Sequence, residues 1–266
     1  MGTEQDTGKH RKNTNDMYYT KKDVAKECIE IVKQEIQDSD SYQWVEPSAG
    51  SGAFLVDGCV ALDLEPKNSR IIKQDFLTYV PQFDKKILIY GNPPFGKQSS
   101  LAKKFIKHAT SFADVVAFIL PRSFVKPSMN NVFPNCFHCS YSKELEKDSF
   151  EVNERSYDVP CVFQIWVKKD TERDKEVKVE QLGFMYVKQT DSYDLTIRRV
   201  GVNAGKAKEK SEKVSAQSHY FIKLDNVEKR EEVILKINSH TFPTNTVGPR
   251  SLSKNEINLV LNRFLN

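Results

Sequence analysis

Asn92, Pro93, Pro94 and Phe95 stand between two glycines in the run GNPPFG, residues 91–96. An amide followed by two rigid residues and an aromatic ring is a combination able to hold a flat polar group. Neither proline can donate to a strand ladder and both fix φ, so they end the preceding apolar run KKILIY and stiffen the turn. That turn would hold the Asn92 side chain and the Pro93 carbonyl outward, with the Phe95 ring close behind. An exocyclic amine on an aromatic ring is a poor nucleophile because its lone pair is delocalised. If the Asn92 oxygen and the Pro93 carbonyl accept its N–H groups, the lone pair is steered toward an electrophile. Such chemistry needs alignment more than acid or base, and no cysteine nucleophile.

A second group of residues precedes this turn. In VEPSAGSGAFL, residues 45–55, Gly50 and Gly52 allow close approach of a ligand to the backbone and positive φ. ALDLEP then places Asp63 at the end of a following strand, where a carboxylate can accept from the two hydroxyls of a ribose. KQDF brings Asp75 and Phe76 to a third strand end, suited to an adenine amino group and a purine face. Each alone reads equally as a glycine turn or a capping acid; the three in succession favour an adenosyl ligand. The glycine run matches neither a Walker A loop nor G-x-G-x-x-G. Glu46, just before the loop, disfavours a phosphate there and suits a ligand carrying a sulfonium and an amino group.

The elements that must position these residues follow from the pattern. KKDVAKECIEIVKQEI is an amphipathic helix, as is SLAKKFIKHATSF. YQWVEP, CVALDL, ILIYGN, VVAFILP and VPCVFQIWVKK read as strands, with IIKQDF a short segment between the second and third. Strands alternating with helices predict an α/β fold with a mostly parallel, doubly wound sheet. After about residue 168 the charge-dense KKDTERDKEVKVE marks a boundary, and GFMYVK, YDLTIRRVG and HYFIKL read as short strands of a small β-rich C-terminal appendage. Ser253 and Glu256 have capping-box spacing ahead of the helix INLVLNRFL. The divisions expected are a flexible arm over 1–16, a main domain over 17–168 and an appendage over 169–266.

With 39% apolar residues and a net charge of +4, the 266-residue chain is compatible with a nucleic-acid partner without requiring one. No apolar run is long enough to span a bilayer, and the polar N-terminus lacks a signal-peptide core, so the expected location is the cytoplasm or nucleus. Five cysteines, an odd count, fit reduced thiols. Cys136 and Cys139 in CFHC lack the further ligands of a zinc site, so no metal is expected, and Cys161 reads as core.

The series of motifs resembles the class I S-adenosylmethionine-dependent amino-methyltransferases that carry [DNS]-P-P-[YF]. Within them it is similar to the gamma-ordered DNA adenine-N6 group, where a segment like YYTKKDVAKECI comes first, then the cofactor loop, then N-P-P-[YF], then a target-recognition region. The resemblance covers roughly residues 17–168. It implies a Rossmann-like class I methyltransferase fold and S-adenosyl-L-methionine as cofactor. It also implies a cofactor pocket lined by Thr20, Glu46, Pro47, Ala49, Gly50, Asp63, Asp75, Phe76 and Asn92. Asn92, Pro93, Pro94 and Phe95 would form the target-base site, with phenylalanine where many relatives have tyrosine. The activity implied is methyl transfer to N6 of adenine in double-stranded DNA. The residues leave open RNA adenine, cytosine N4, guanine N2, a protein glutamine, and a non-catalytic nucleic-acid-binding subunit. A partner subunit or cognate restriction enzyme is also left open.

The C-terminal region matches no particular recognition domain. Candidate nucleic-acid contacts are Phe150 or Tyr157 as a second aromatic against the base, Arg122 in LPRSF, and Arg198, Arg199 and Lys206 along a phosphate backbone. For each the alternative is a packing residue or a solvated loop, and Glu209 and Glu212 interrupt the lysine run at 206, 208, 210 and 213.

Overall fold

The computed structural model describes residues 18–152, 155–174, 178–210, 214–242 and 250–265. The arm expected over 1–16, Glu212 and Lys213 lie outside them. The chain divides into two compact units, one up to residue 175 and one from residue 176. The break falls beyond residue 168 because the chain after the last strand of the first unit stays tied to it. Lys169 N–H donates to the Cys136 carbonyl at 2.7 Å and Arg173 N–H to the Asn135 carbonyl at 2.8 Å.

In the first unit, β1 (Tyr19–Thr20) leads into α1 (Lys22–Glu35), which buries Ala25, Cys28, Ile29 and Val32 along one stripe. The apolar runs then become β2 (Gln43–Glu46), β3 (Val60–Asp63), β4 (Ile72–Lys73) and β5 (Ile87–Gly91). α2 (Ser100–Ala109) connects β5 to β6 (Val115–Pro121), and a short α3 (Pro127–Asn130) follows. The unit is completed by β7 (Phe137–Glu144), β8 (Phe150–Val152), β9 (Arg155–Tyr157) and β10 (Cys161–Lys168).

Seven strands form one sheet in the order β4-β3-β2-β5-β6-β10-β7. β4 to β6 pair in parallel, and β10 inserts antiparallel between β6 and β7. β5 and β6 are buried along their whole length, which explains their unbroken apolar sequences. Cys161 is buried in β10, as its apolar surroundings predict. The chain turns from β2 to β3 on one side and later to β5 on the other. That reversal opens a crevice at the C-terminal ends of β2 and β5, where open α/β sheets take ligands.

β1, β8 and β9 form a separate three-stranded sheet, with Thr20 opposite Phe150 and Phe150 opposite Tyr157. The sequence pattern shows neither this sheet nor β7, whose residues beyond Phe137 are mostly exposed and polar.

The second unit contains β11 (Phe184–Val187), β12 (Leu195–Arg198), β13 (Ala207–Glu209), β14 (His219–Leu224), α4 (Arg230–Ser239) and α5 (Lys254–Leu265). Its antiparallel sheet runs β11-β14-β12-β13. Leu195, Ile197, Ile222, Val233, Ile237 and Leu261 belong to a core of its own. The appendage carries this four-stranded sheet together with two helices, α4 and the expected α5. The capping box is formed: Glu256 N–H donates to Ser253 Oγ at 3.2 Å, and Ser253 N–H donates to a Glu256 carboxylate oxygen at 2.8 Å.

Candidate active site

A cavity of about 490 Å³ opens in the first unit at the strand ends. β2 delivers Pro47, Ser48, Ala49 and Gly50 to it, β3 delivers Asp63, and the chain after β4 delivers Asp75 and Phe76. β5 delivers Asn92, Pro93, Pro94 and Phe95, and β1 supplies Thr20. Every residue expected to line the cofactor pocket or to form the target-base site thus borders one cavity, except Glu46.

Asn92 is held by its nitrogen. Nδ2 donates to the Tyr18 carbonyl and to Thr20 Oγ1, both at 3.1 Å. A carbonyl can only accept, so the nitrogen must be the atom facing Tyr18, and the amide orientation follows. Oδ1 is then left buried with no hydrogen-bond donor. The main chain is pinned as well, since Ser48 Oγ donates to the Asn92 carbonyl at 3.1 Å. Downstream, the Phe95 carbonyl accepts from Leu101 N–H at 3.1 Å and Ala102 N–H at 3.2 Å, fixing the turn to the start of α2. The Phe95 ring is 7% exposed, so it forms wall more than open platform.

Glu46 corrects the expectation that it lines the cavity. Its side chain is 1% exposed and tucks against Gly91, occupying the space a Cβ there would need. Gly91 has φ +125, a conformation that glycine takes without strain. Neither carboxylate oxygen has a hydrogen-bond partner. Burial drives the Glu46 pKa well above the usual carboxylate range, and the Asp63 charge adds to the rise. The Ser48 amide offsets this in part without reaching hydrogen-bond geometry.

The two acids on the opposite wall are engaged. Asp63 Oδ2 accepts from Gly50 N–H at 2.7 Å and Oδ1 from Glu65 N–H at 2.8 Å, so this carboxylate shapes the glycine loop. Asp75 Oδ1 accepts from Leu77 N–H at 2.9 Å, capping the short 3-10 turn Phe76–Thr78. Phe76 is buried and packs on Phe105 with centroids 5.1 Å apart. Gly50 takes φ +52, and the Tyr19 ring lies against it, where a Cβ would meet Cε1 at 3.0 Å.

Sequence reasoning missed Ser48, Tyr19, Leu64 and Lys67, all at the cavity. The Lys67 ammonium lies over the Tyr19 ring, 4.7 Å from its centroid. Leu64 stands 63% exposed directly after Asp63; an apolar residue after a strand-end acid was the available signal.

The candidate nucleic-acid residues separate. Phe150 is fully buried in the core of the first unit and presents no surface to a base, which corrects that expectation. Tyr157, half-buried, packs on Tyr18 with centroids 5.8 Å apart. Arg122 is committed to Glu144 through two contacts, 3.0 Å from Nε and 2.9 Å from Nη2. Arg198, Arg199 and Lys206 lie in the second unit. Among the described residues no group of three His, Cys, Asp or Glu could hold a metal, and no helix is long and apolar enough to cross a membrane.

No family model matches the sequence, and no curated protein matches it. Among solved structures it is similar to a candidate RNA methyltransferase of Pyrococcus horikoshii, with 15% identity over 57% of this chain and 86% of that one, and a TM-score of 0.43. It is similar to a Thermoplasma acidophilum protein, with 12% identity over 57% and 89% of the two chains and a TM-score of 0.43. A magnesium protoporphyrin IX methyltransferase of Synechocystis, solved with S-adenosylmethionine bound, shows 11% identity over 55% and 79% and a TM-score of 0.37. The strand order and pairing of the first unit are those of a Rossmann-like class I methyltransferase fold, and the second unit adds a separate antiparallel sheet.

Proposed function

We propose that this chain is an S-adenosylmethionine-dependent methyltransferase acting on the exocyclic N6 amine of adenine in DNA. The observation that carries the reading is the Asn92 amide, anchored through its nitrogen and left with an unpartnered buried oxygen beside the cavity. A buried acceptor without a donor costs about 1–3 kcal/mol, and an amine N–H entering the cavity would remove that cost.

The residues present fit the cofactor. Gly50 keeps the loop after β2 open to close approach, and Leu64 exposes an apolar surface that a purine would cover. Asp63 and Asp75 would meet its polar edges with the lone pairs their backbone donors leave. Glu46, an unpartnered acid behind the Asn92 wall, would accept from an ammonium group. When bound, S-adenosylmethionine supplies an electrophilic methyl group on a sulfonium.

The chain's own part is then to bind, orient and exclude water. Asn92 Oδ1 and the Pro93 carbonyl accept the N–H groups of the target amine, which holds its lone pair out of conjugation with the ring. The prolines and the Ser48 bond keep those acceptors from moving as charge develops. Phe95 closes one side of the cavity against water, and a base taken out of its stack would reach it.

The test offers S-adenosylmethionine with unmethylated duplex DNA, single-stranded DNA and RNA in parallel, followed by digestion to nucleosides and mass spectrometry. N6-methyldeoxyadenosine in a DNA pool is the expected product. N6-methyladenosine confined to the RNA pool would move the substrate to RNA. No methylated base in any pool, despite cofactor binding, would overturn the nucleobase reading.

A further inference from the structure

The second unit carries a cavity of about 650 Å³ whose lining includes Thr196, Arg198, Lys206, Lys208, His219 and Asn238, and among the described residues no carboxylate. Strand alternation builds it. Leu195 and Ile197 of β12 face the core, so Thr196 and Arg198 face the other way. Directly paired residues share a face, which puts Lys208 beside Thr196 and His219 beside Arg198.

The same alternation turns away Glu209, one of the two acids that interrupt the lysine run in sequence; Glu212 lies outside the described residues. Glu209 points to the opposite face and pairs with Arg230 of α4 at 3.5 Å. The alternation also splits the Arg198–Arg199 pair. Arg199 donates from Nε to the Gln217 carbonyl at 3.2 Å, lies 5.6 Å from the Tyr220 ring centroid, and is not in the cavity lining.

The basic groups are held in place. Arg198 Nε donates to the Val200 carbonyl at 3.0 Å, which fixes the guanidinium plane. Lys206 Nζ donates to the Asn238 carbonyl at 2.8 Å. The Asn238 side chain brackets Ala207, accepting from its N–H at 2.9 Å and donating to its carbonyl at 3.1 Å, so the β13 edge is fixed to α4. Arg198 and Lys208 form no ion pair among the described residues. Burial lowers the His219 pKa, and the neighbouring Arg198 and Lys208 charges lower it further. Like charges gathered without a counter-charge among the described residues favour an anion in their midst.

We propose that this cavity binds a backbone phosphate of a nucleic-acid strand, with Arg198 and Lys208 as the principal charged contacts. The basic cavity stands on its own geometry; assigning the phosphate to a nucleic acid rests on the proposed target of the first unit.

The test uses the full chain and a fluorescent duplex of about 20 base pairs, with binding followed by anisotropy across a salt series. Replacing both Arg198→Gln and Lys208→Gln should weaken binding at least tenfold. It should also make the slope of log affinity against log salt shallower by about 1–2, since each lost phosphate contact removes about 0.9. Arg199→Gln should stay within about twofold of wild type, and S-adenosylmethionine affinity should hold in every variant. Unchanged affinity and slope in the double variant would overturn the site. Inorganic phosphate binding that the double variant abolishes, with no effect on DNA binding, would make the ligand a free anion and exclude the strand. DNA bound through these residues but never methylated would sink the amine reading and leave the phosphate site standing.

Discussion

The two walls of the cavity in the first unit treat their polar groups in opposite ways. On the loop side Asp63 and Asp75 each give carboxylate oxygens to backbone N–H groups. On the Asn92 side, Asn92 Oδ1 and, behind that wall, both Glu46 oxygens are buried with no donor. The first arrangement stabilises the fold, because charge-assisted bonds to backbone amides are among the stronger ones available. The second costs stability, and such groups gather where a ligand supplies the missing partner. The polar groups thus differ in duty: the Asp63 and Asp75 carboxylates shape the loops, whereas the Glu46 carboxyl and the Asn92 amide oxygen stay in want of a donor.

Substitutions can break or sharpen that contrast. The largest effect on stability is expected for Gly91→Ala, whose Cβ would overlap the Glu46 carboxylate on a backbone at φ +125. Roughly 3 kcal/mol of stability should be lost, part of it regained when Glu46→Ala is added. A denaturant titration of the single and double variants checks this, and no recovery in the double variant would mean the two side chains do not meet.

Asp63→Ala should lose about 1.5–3 kcal/mol of stability, since Gly50 and Glu65 N–H groups lose their acceptor, and cofactor affinity should fall with it. Unchanged affinity by calorimetry would remove Asp63 from the pocket.

Glu46→Gln should separate the two quantities, reducing cofactor affinity about tenfold or more while leaving stability at neutral pH equal or higher. The sign with pH follows from the raised pKa. The folded state holds a proton on Glu46 that the unfolded chain has released, so wild-type stability falls as pH rises from the ordinary carboxylate range toward the raised value. The variant should lack that slope across a pH 5–8 series of unfolding midpoints. A slope equal to wild type would place the titration elsewhere.

The smallest effect belongs to the other unit. Ser253→Ala removes the cap of α5 and should cost about 1 kcal/mol of second-unit stability without touching cofactor affinity.

The sequence makes the chemistry of the cavity more legible than its hydrogen bonding. Apolar runs located β2, β3, β5, β6 and β10, and the residues at their C-terminal ends were read as a site because strand ends are where loops meet. β7 to β9 escaped because their residues outside the core are polar and charged, and short two-sided pairing leaves no period to read. β13 buries only Ala207 and so resembles a solvated loop, and the amphipathic pattern of α4 is blurred by Leu235, 71% exposed between the buried Val233 and Ile237. The burial of Phe150 depends on strand pairing with Thr20, which no local pattern reports. Likewise the Asp63–Gly50 bond joins residues whose contact exists only once β2 and β3 pair.

The most direct measurement compares wild type with Asn92→Ala in two assays on the same preparations, cofactor affinity by calorimetry and methyl transfer to duplex DNA. If Asn92 Oδ1 is the acceptor awaiting the target amine, affinity stays within a few-fold while transfer falls by about a hundredfold to a thousandfold. Substantial transfer by the variant, with cofactor bound as in wild type, would contradict the assignment.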